Sequence, residues 1–218
     1  MREFYLNFFQ KNWQSEKELA IPSWEKPLTL GLLHYAAKYP KEKITQKITS
    51  SLQKSADSYV SQIKINGYPN ALFDWEYYWG SNAVVLNKNY LLFAAYKTFK
   101  KQAYLETAKS QFDYILGQNP MGVSYITGIG TSFTHFPWHP NNGINFPLLK
   151  GLLVGGPNQY KNGADILLTN LINRKTPPAK CYIDKSYLKL GSWSSNEPQI
   201  NLNSTLLYTI SQLSNSNP

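Results

Sequence analysis

Apolar residues recur at helical spacing through the first half of the chain. "LTLGLLHYAAKYP" (Leu28 to Pro40) places leucine, tyrosine and alanine three and four residues apart and stops at a proline, which cannot continue a helix. Residues 41–64 predict a longer amphipathic helix, with Ile44, Ile48, Leu52, Ala56, Tyr59, Val60 and Ile63 on one face. The segment "NGYPNALFDWEYYWGSN" breaks that period with glycine, proline and clustered aromatics, and reads as a loop. Ser81 or Asn82 is expected to cap the next helix, over about 83–99, whose Val84, Val85, Leu91, Leu92, Ala95 and Phe99 make a wide apolar face. A further helix over about 102–116 carries Tyr104, Ala108, Phe112 and Ile115, with Gly117 as a left-handed stop.

From Gln118 to Glu197 the period is lost, apart from a short helix expected near 163–173. Glycines and prolines crowd the first half of this stretch, and an irregular segment of such length is uncommon unless it carries function. A last helix, about 199–213, precedes the polar tail "SNSNP". The pattern predicts an all-α fold of helices whose connections hold the unusual residues, with no β-rich core and no internal repeat.

Composition narrows the function classes. The chain has 218 residues, 42% of them hydrophobic and 15% aromatic, enough to build a core and too many packing residues for a disordered chain. A net charge of +9 invites a nucleic-acid partner, but the lysines are scattered from Lys11 to Lys189 without a stripe, finger or glycine-rich loop. Neither a nucleic-acid nor a membrane partner is expected, since no apolar run reaches the ~20 residues of a span. "MREFYLNFFQKNWQSE" lacks the apolar core of a signal peptide. The lone Cys181 rules out an intrachain disulfide.

Elimination leaves carboxylates as the candidate chemistry. The three histidines, His34, His135 and His139, lack metal-ligand spacing, so no metal site is expected. No nucleophile elbow or phosphate loop is present. Asp74, Glu76, Asp165, Asp184 and Glu197 remain, all in irregular regions rich in aromatic or small polar residues. Carboxylates beside tryptophan and tyrosine suit polysaccharide chemistry, because sugar rings stack on aromatic faces and an apolar pocket keeps a carboxyl protonated.

On these residues the chain resembles a known family. "FDYILGQNPMGVSYITGIGTSF", "LLVGGPNQ" and "YIDKSYLKLGSWSSNEPQINLNSTLLYTISQL" are similar to motifs of family 9 glycoside hydrolases, the inverting cellulases. "YYWGSNAVVLNKNYLLFAAYKTFKKQAYLETAKSQFDYILG" resembles the helical stretch before them, and the likeness is strongest from about residue 68 onward. The resemblance implies an (α/α)6 barrel with long irregular active-site loops, of which residues 1–218 would be the C-terminal portion. It implies inverting hydrolysis of β-1,4-glucosidic bonds in cellulose or a related β-glucan, with Glu197 of the "NE" motif as general acid. His139, Trp138, Trp79, Tyr78 and Trp193, with Trp75 beside them, become candidate sugar-binding residues, and Asn196, Asp184 and Asn203 supporting ones.

Three departures from the family pattern stand out. The Asp-Ala-Gly-Asp-type motif that carries the catalytic base is absent, so the base is expected from a missing N-terminal half. In "THFPWHPNNG", Pro140 stands where an arginine is usual and Trp138 precedes His139; in the last motif Asn201, Leu202 and Asn203 replace Asp-Tyr-Asn. The chain alone is therefore expected to be weak or inactive, and the alternative is a catalytically inactive carbohydrate-binding remnant. No cofactor is required by such chemistry, and a structural calcium is possible without assignable ligands. Secretion or a periplasmic location is what the family implies.

Overall fold

A computed structural model describes residues 2–13, 17–139, 147–161, 164–185 and 192–215. Eight helices occur among them: α1 (Arg2–Asn12), α2 (Leu28–Lys38), α3 (Lys43–Ile65), α4 (Ser81–Phe99), α5 (Gln102–Ile115), α6 (Ile166–Asn173), α7 (Trp193–Asn196) and α8 (Ile200–Ser214). Two single 3-10 turns, Asp74–Glu76 and Pro178–Lys180, interrupt the loops. Among the described residues there is no strand, only isolated bridges such as Val154 with Pro198. The all-α expectation holds. The periodicity had no signal for α1, whose mostly exposed Phe4, Tyr5 and Phe8 mix with charge, nor for the four-residue α7.

Helix α4 is the hub, packed against α3, α5 and α8. One core joins Phe9 of α1, Leu32 and Tyr35 of α2, Ile48, Leu52 and Tyr59 of α3, Leu91 and Leu92 of α4, and Tyr104 and Ala108 of α5. A second gathers Val84, Val85 and Leu86 from the start of α4 with Tyr114, Tyr125, Leu153, Val154, Tyr182 and Leu202. Each such large apolar side chain contributes roughly 1.5–3 kcal/mol on leaving water. A helix buried this far round would be expected to be apolar throughout, yet α4 also buries Lys88 and Asn89, both at 0% exposure.

Those two polar residues have specific partners. Asn89 accepts from Gln111 Nε2 at 2.7 Å and donates to the Ala108 carbonyl at 3.2 Å, which stitches α4 to α5. The Lys88 ammonium lies 2.5 Å from Glu76 Oε2 and 2.5 Å from the Ala71 carbonyl. It sits 4.9 Å from the Tyr59 ring centroid and 4.8 Å from that of Phe73. Burial pulls its basicity below lysine's ordinary range, and the Glu76 carboxylate opposes that fall. Glu76 also accepts from the Phe73 amide at 2.8 Å, so the pair closes the aromatic loop onto α4.

The start of α4 corrects the expected cap. Gly80 occupies the cap position at φ +83, a left-handed conformation that favours glycine. Ser81 and Asn82 are already helical and their side chains turn outward from the helix end: Ser81 Oγ donates to Pro157 O at 2.7 Å and Asn82 Nδ2 to Val154 O at 2.9 Å. The helix start thereby holds the glycine-rich stretch 154–157. Gly117, at φ +123 just past α5, is the stop that its position predicted.

Glu76→Gln should leave Lys88 as a buried cation without its counter-charge and lower stability by about 3 kcal/mol or more, whereas adding Lys88→Met should restore most of the loss. Urea unfolding midpoints of the single and double variants check this. Alkali offers a second test. Burial pushes Tyr77 and Tyr208 up to about 12 from 10.0, and raises Tyr114, Tyr125 and Tyr182 as well. Their contribution is fully present below pH 10, where folded and unfolded chains are both protonated, and is lost as pH rises through the folded values. Unfolding followed by circular dichroism should thus begin above pH 10 and coincide with the later phase of tyrosinate absorbance, that of the buried rings; completion of that later phase in a still-folded chain would contradict it.

Candidate functional site

Four polar residues in a row, Ser192 and Ser194 to Asn196 with only Trp193 between them, build the platform of the site. Ser192, Ser194, Ser195 and Asn196 are all at or below 1% exposure. Burying hydroxyls and an amide is costly unless each is hydrogen-bonded. Here each is, and the partners come from distant loops. Asn196 Oδ1 accepts from Tyr182 Oη at 2.5 Å; its Nδ2 donates to Phe136 O at 2.6 Å and to Asp184 Oδ1 at 3.1 Å. Its carbonyl accepts from the Trp138 amide at 2.8 Å. Burial, with the Asp184 charge second, holds the Tyr182 hydroxyl well above its ordinary range, so it remains a neutral donor.

Asp184 ties a further loop into this knot. Its Oδ2 accepts from the His135 amide and its Oδ1 from the Phe136 amide, each at 2.8 Å. Asn203, one turn into α8, binds the Leu153 peptide from both sides: Oδ1 accepts from Leu153 N at 2.8 Å and Nδ2 donates to Leu153 O at 3.2 Å. The glycine pair then runs beside the turn, with Gly156 N donating to Ser195 O at 2.8 Å. A side chain on Gly155 would come within 3.3 Å of Ser195 O and 3.6 Å of Glu197 O, so the backbones meet where only glycine fits comfortably.

Glu197 leaves this knot in an extended conformation, φ −80 and ψ 124, between α7 and α8. It is half-buried, and nothing among the described residues pairs with its carboxylate. Two neighbouring cavities flank its segment. One, of about 460 Å³, is lined by Trp24, Glu25, Tyr78, Trp79, Tyr160 and Trp193, among others. The other, of about 940 Å³, is lined by Trp24, Trp79, His139, Leu149, Gln199 and Asn203, among others. Trp24, Trp79 and Asn201 belong to both. Glu197 is absent from either lining, while Pro198 and Gln199, the next two residues, line the second cavity.

The sequence-predicted residues therefore divide. Trp79, Tyr78, Trp193 and His139 line the cavities; Asn196, Asp184 and Asn203 hold the frame behind them. Trp138 is half-buried, lines neither cavity and has its amide on Asn196. Trp75 is 63% exposed outside both cavities, its ring stacked on Phe73 at 4.6 Å. Asp74 is exposed and away from both, and Glu76 is taken by Lys88, so neither faces this cleft. Pro140, at the position where the family pattern has arginine, lies outside the described residues. The sequence reading missed Trp24, 72% exposed on a turn closed by the Lys26 amide on the Ser23 carbonyl at 3.1 Å. A lone tryptophan between Pro22 and Pro27 was the available signal. It also missed Asn201, which was noted only as a departure from a motif.

The site is thus a buried polar turn preceding one carboxylate, in a segment flanked by two aromatic-lined cavities. The comparisons fix the family. The model for glycosyl hydrolase family 9 matches residues 2–210, and the chain belongs to that family. It is 32% identical over 178 residues to a cellulose 1,4-beta-cellobiosidase of Acetivibrio thermocellus, covering 77% of this chain and 19% of that protein. It is 30% identical over 214 residues to a cellodextrinase of Butyrivibrio fibrisolvens, covering 97% of this chain and 38% of that protein. Among solved structures, the GH family 9 endoglucanase J30 superposes with a TM-score of 0.82 at 27% identity, over 95% of this chain and 38% of that one. The chain thus forms part of the family's (α/α)6 barrel and spans well under half the length of these relatives.

Gly156→Ala tests the frame. At φ +96 a side chain is strained, and the added methyl would overlap the Asn82 side chain. The variant should lose roughly 2 kcal/mol or more in urea unfolding. A stability equal to the parent chain would contradict the close approach.

Proposed function

We propose that this chain is the C-terminal portion of a catalytic domain that hydrolyses β-1,4-glucosidic bonds of cellulose or a related β-glucan with inversion. Family membership supports the reaction class, and the names of similar proteins, a cellobiosidase, a cellodextrinase and an endoglucanase, support the substrate class. The observation that carries the residue assignment is the presentation of Glu197, half-buried and with no partner for its carboxylate among the described residues, after a turn of buried polar side chains and in a segment flanked by aromatic-lined cavities.

In this reading the protonated Glu197 carboxyl gives its proton to the departing glycosidic oxygen as the C–O bond breaks. A second carboxylate, ~6.5–9.5 Å away on the opposite face of the sugar, takes a proton from the attacking water. That base comes from the part of the domain outside these 218 residues. His139, Trp79, Tyr78 and Trp193, with the newly placed Trp24, bind the glucan, and Trp138 contributes through the loop it shares with His139. The reaction needs no organic cofactor. Among the described residues no cluster of three or more His, Cys, Asp or Glu side chains suited to a metal occurs. A secreted or periplasmic location fits a polymeric substrate, and no helix among the described residues is long and apolar enough to cross a membrane.

In the complete catalytic domain, Glu197→Gln should lower turnover of soluble β-glucan by roughly 10²-fold or more, with products of inverted anomeric configuration in the parent enzyme. Near-normal turnover in the variant would sink the acid role, and retained configuration would sink the mechanism. Binding of cello-oligosaccharide without turnover by the complete domain would favour the inactive carbohydrate-binding remnant.

A further inference from the structure

Asp165 is the most thoroughly engaged carboxylate that the proposed reaction does not use. It is 3% exposed, yet no cation pairs with it among the described residues. Its two oxygens divide their work. Oδ1 caps α6, accepting from the Leu168 amide at 3.0 Å. Oδ2 takes three donors from the turn before Glu197: Ser192 Oγ at 2.6 Å, Ser194 Oγ at 2.5 Å and the Ser194 amide at 3.2 Å. Hydrogen bonds to an ionised acceptor are about twice as strong as neutral ones. Three on a single buried oxygen fix the position of the turn more firmly than any apolar contact there could.

The consequences run directly to the acid. Ser192 Oγ also bonds Ser195 Oγ at 2.6 Å, and Ser195 Oγ accepts from the Ile183 amide at 3.2 Å. Ser194 O accepts from Asn158 Nδ2 at 2.9 Å. The turn is therefore held from beneath by Asp165 and from the sides by the 155–158 and 181–184 segments. Only Trp193, facing the smaller cavity, and Glu197 leave that grip. A four-residue helix has almost no stability of its own, so its geometry must be imposed from outside.

The geometry points to Asp165 as a positioning residue for the general acid: its buried carboxylate sets the register of the Ser192–Asn196 turn and hence the reach of Glu197 toward the leaving-group oxygen. This rests on the reading of Glu197 as that acid. Asp165→Asn keeps the shape and an acceptor for the α6 cap but removes the charge and one acceptor oxygen.

Two measurements decide the matter. In the chain itself, amide hydrogen exchange of the 192–199 segment should quicken by roughly tenfold or more in Asp165→Asn while α4 (Ser81–Phe99) stays at the parent rate. In the complete catalytic domain, kcat on an aryl β-cellobioside with a poor, phenol-like leaving group should fall by roughly 10²-fold with KM nearly unchanged. A dinitrophenyl β-cellobioside, which leaves without a proton, should be turned over almost normally. Ser194→Ala, which spares the α6 cap, should show the same pattern at smaller amplitude and decides the question if Asp165→Asn does not fold. Parent-like exchange in 192–199, exchange quickened everywhere, or equal losses on both substrates would each overturn the proposal. Glu197→Gln separates the two readings: if it fails to discriminate between leaving groups, the acid assignment falls, whereas discrimination by Glu197→Gln but not by Asp165→Asn removes the positioning role alone.

Discussion

A buried backbone without helix or sheet must find its hydrogen bonds among side chains, and that constraint organises the functional half of this protein. Among the described residues between α5 and α8 only α6 and single turns are regular, yet the stretches around Ser124, Val154 and Ser195 are fully buried. Asn82, Asn119, Asn158, Asn196 and Asn203 each offer an amide to a main-chain carbonyl that no ladder satisfies. Each bond is worth about 1 kcal/mol net, but leaving the buried partner unmade would cost about 1–3 kcal/mol. The asparagines are therefore structural in the same sense as the leucines of the other core.

The two cores divide the labour accordingly. The one that joins α1 through α5 is mostly apolar and local in sequence, a helical scaffold stabilised by burial. The one beneath the cavities mixes Tyr77, Tyr114, Tyr125 and Tyr182 with aliphatic residues drawn from α4, α8 and the irregular segment. Helix α4 belongs to both, and the Lys88–Glu76 pair sits where they meet. A buried ion pair is a poor source of net stability, but it is a strict one about geometry: neither charge tolerates a shift that loses the other. Its place beneath the loop that carries Tyr78 and Trp79 makes it a device for holding the wall of a cleft, with stability supplied by the apolar residues around it.

Rigidity of this kind suits the proton delivery proposed for Glu197. General acid catalysis requires the proton within hydrogen-bond reach of the oxygen it joins, and Glu197 follows a turn whose polar residues are buried and hydrogen-bonded, while nothing among the described residues pairs with its own carboxylate. Trp24 and Trp79 are common to both cavities that flank that segment. The fold alone would not license a reaction; the proposed one rests on the turn and the cavities together with the family membership.

Helix content was legible along the chain because a 3.6-residue apolar period records burial on one side, and α2 to α6 and α8 fall close to where that period put them. The family likeness was legible in ordered motifs, and the same motifs marked Asn196, Asp184 and Asn203, which the structure places in the hydrogen-bonded frame. What the chain could not disclose was distance. Asp165 and Ser194 are 29 positions apart, Ser81 and Pro157 are 76, and nothing in local pattern links them. The same limit hid Trp24, distant in sequence from the other residues that line its cavities, and left the full burial of Lys88 unmarked. Local propensity and burial period belong to a segment and can be read from it. The partner of a buried polar group belongs to the packed molecule, because only packing removes the water that would otherwise have served.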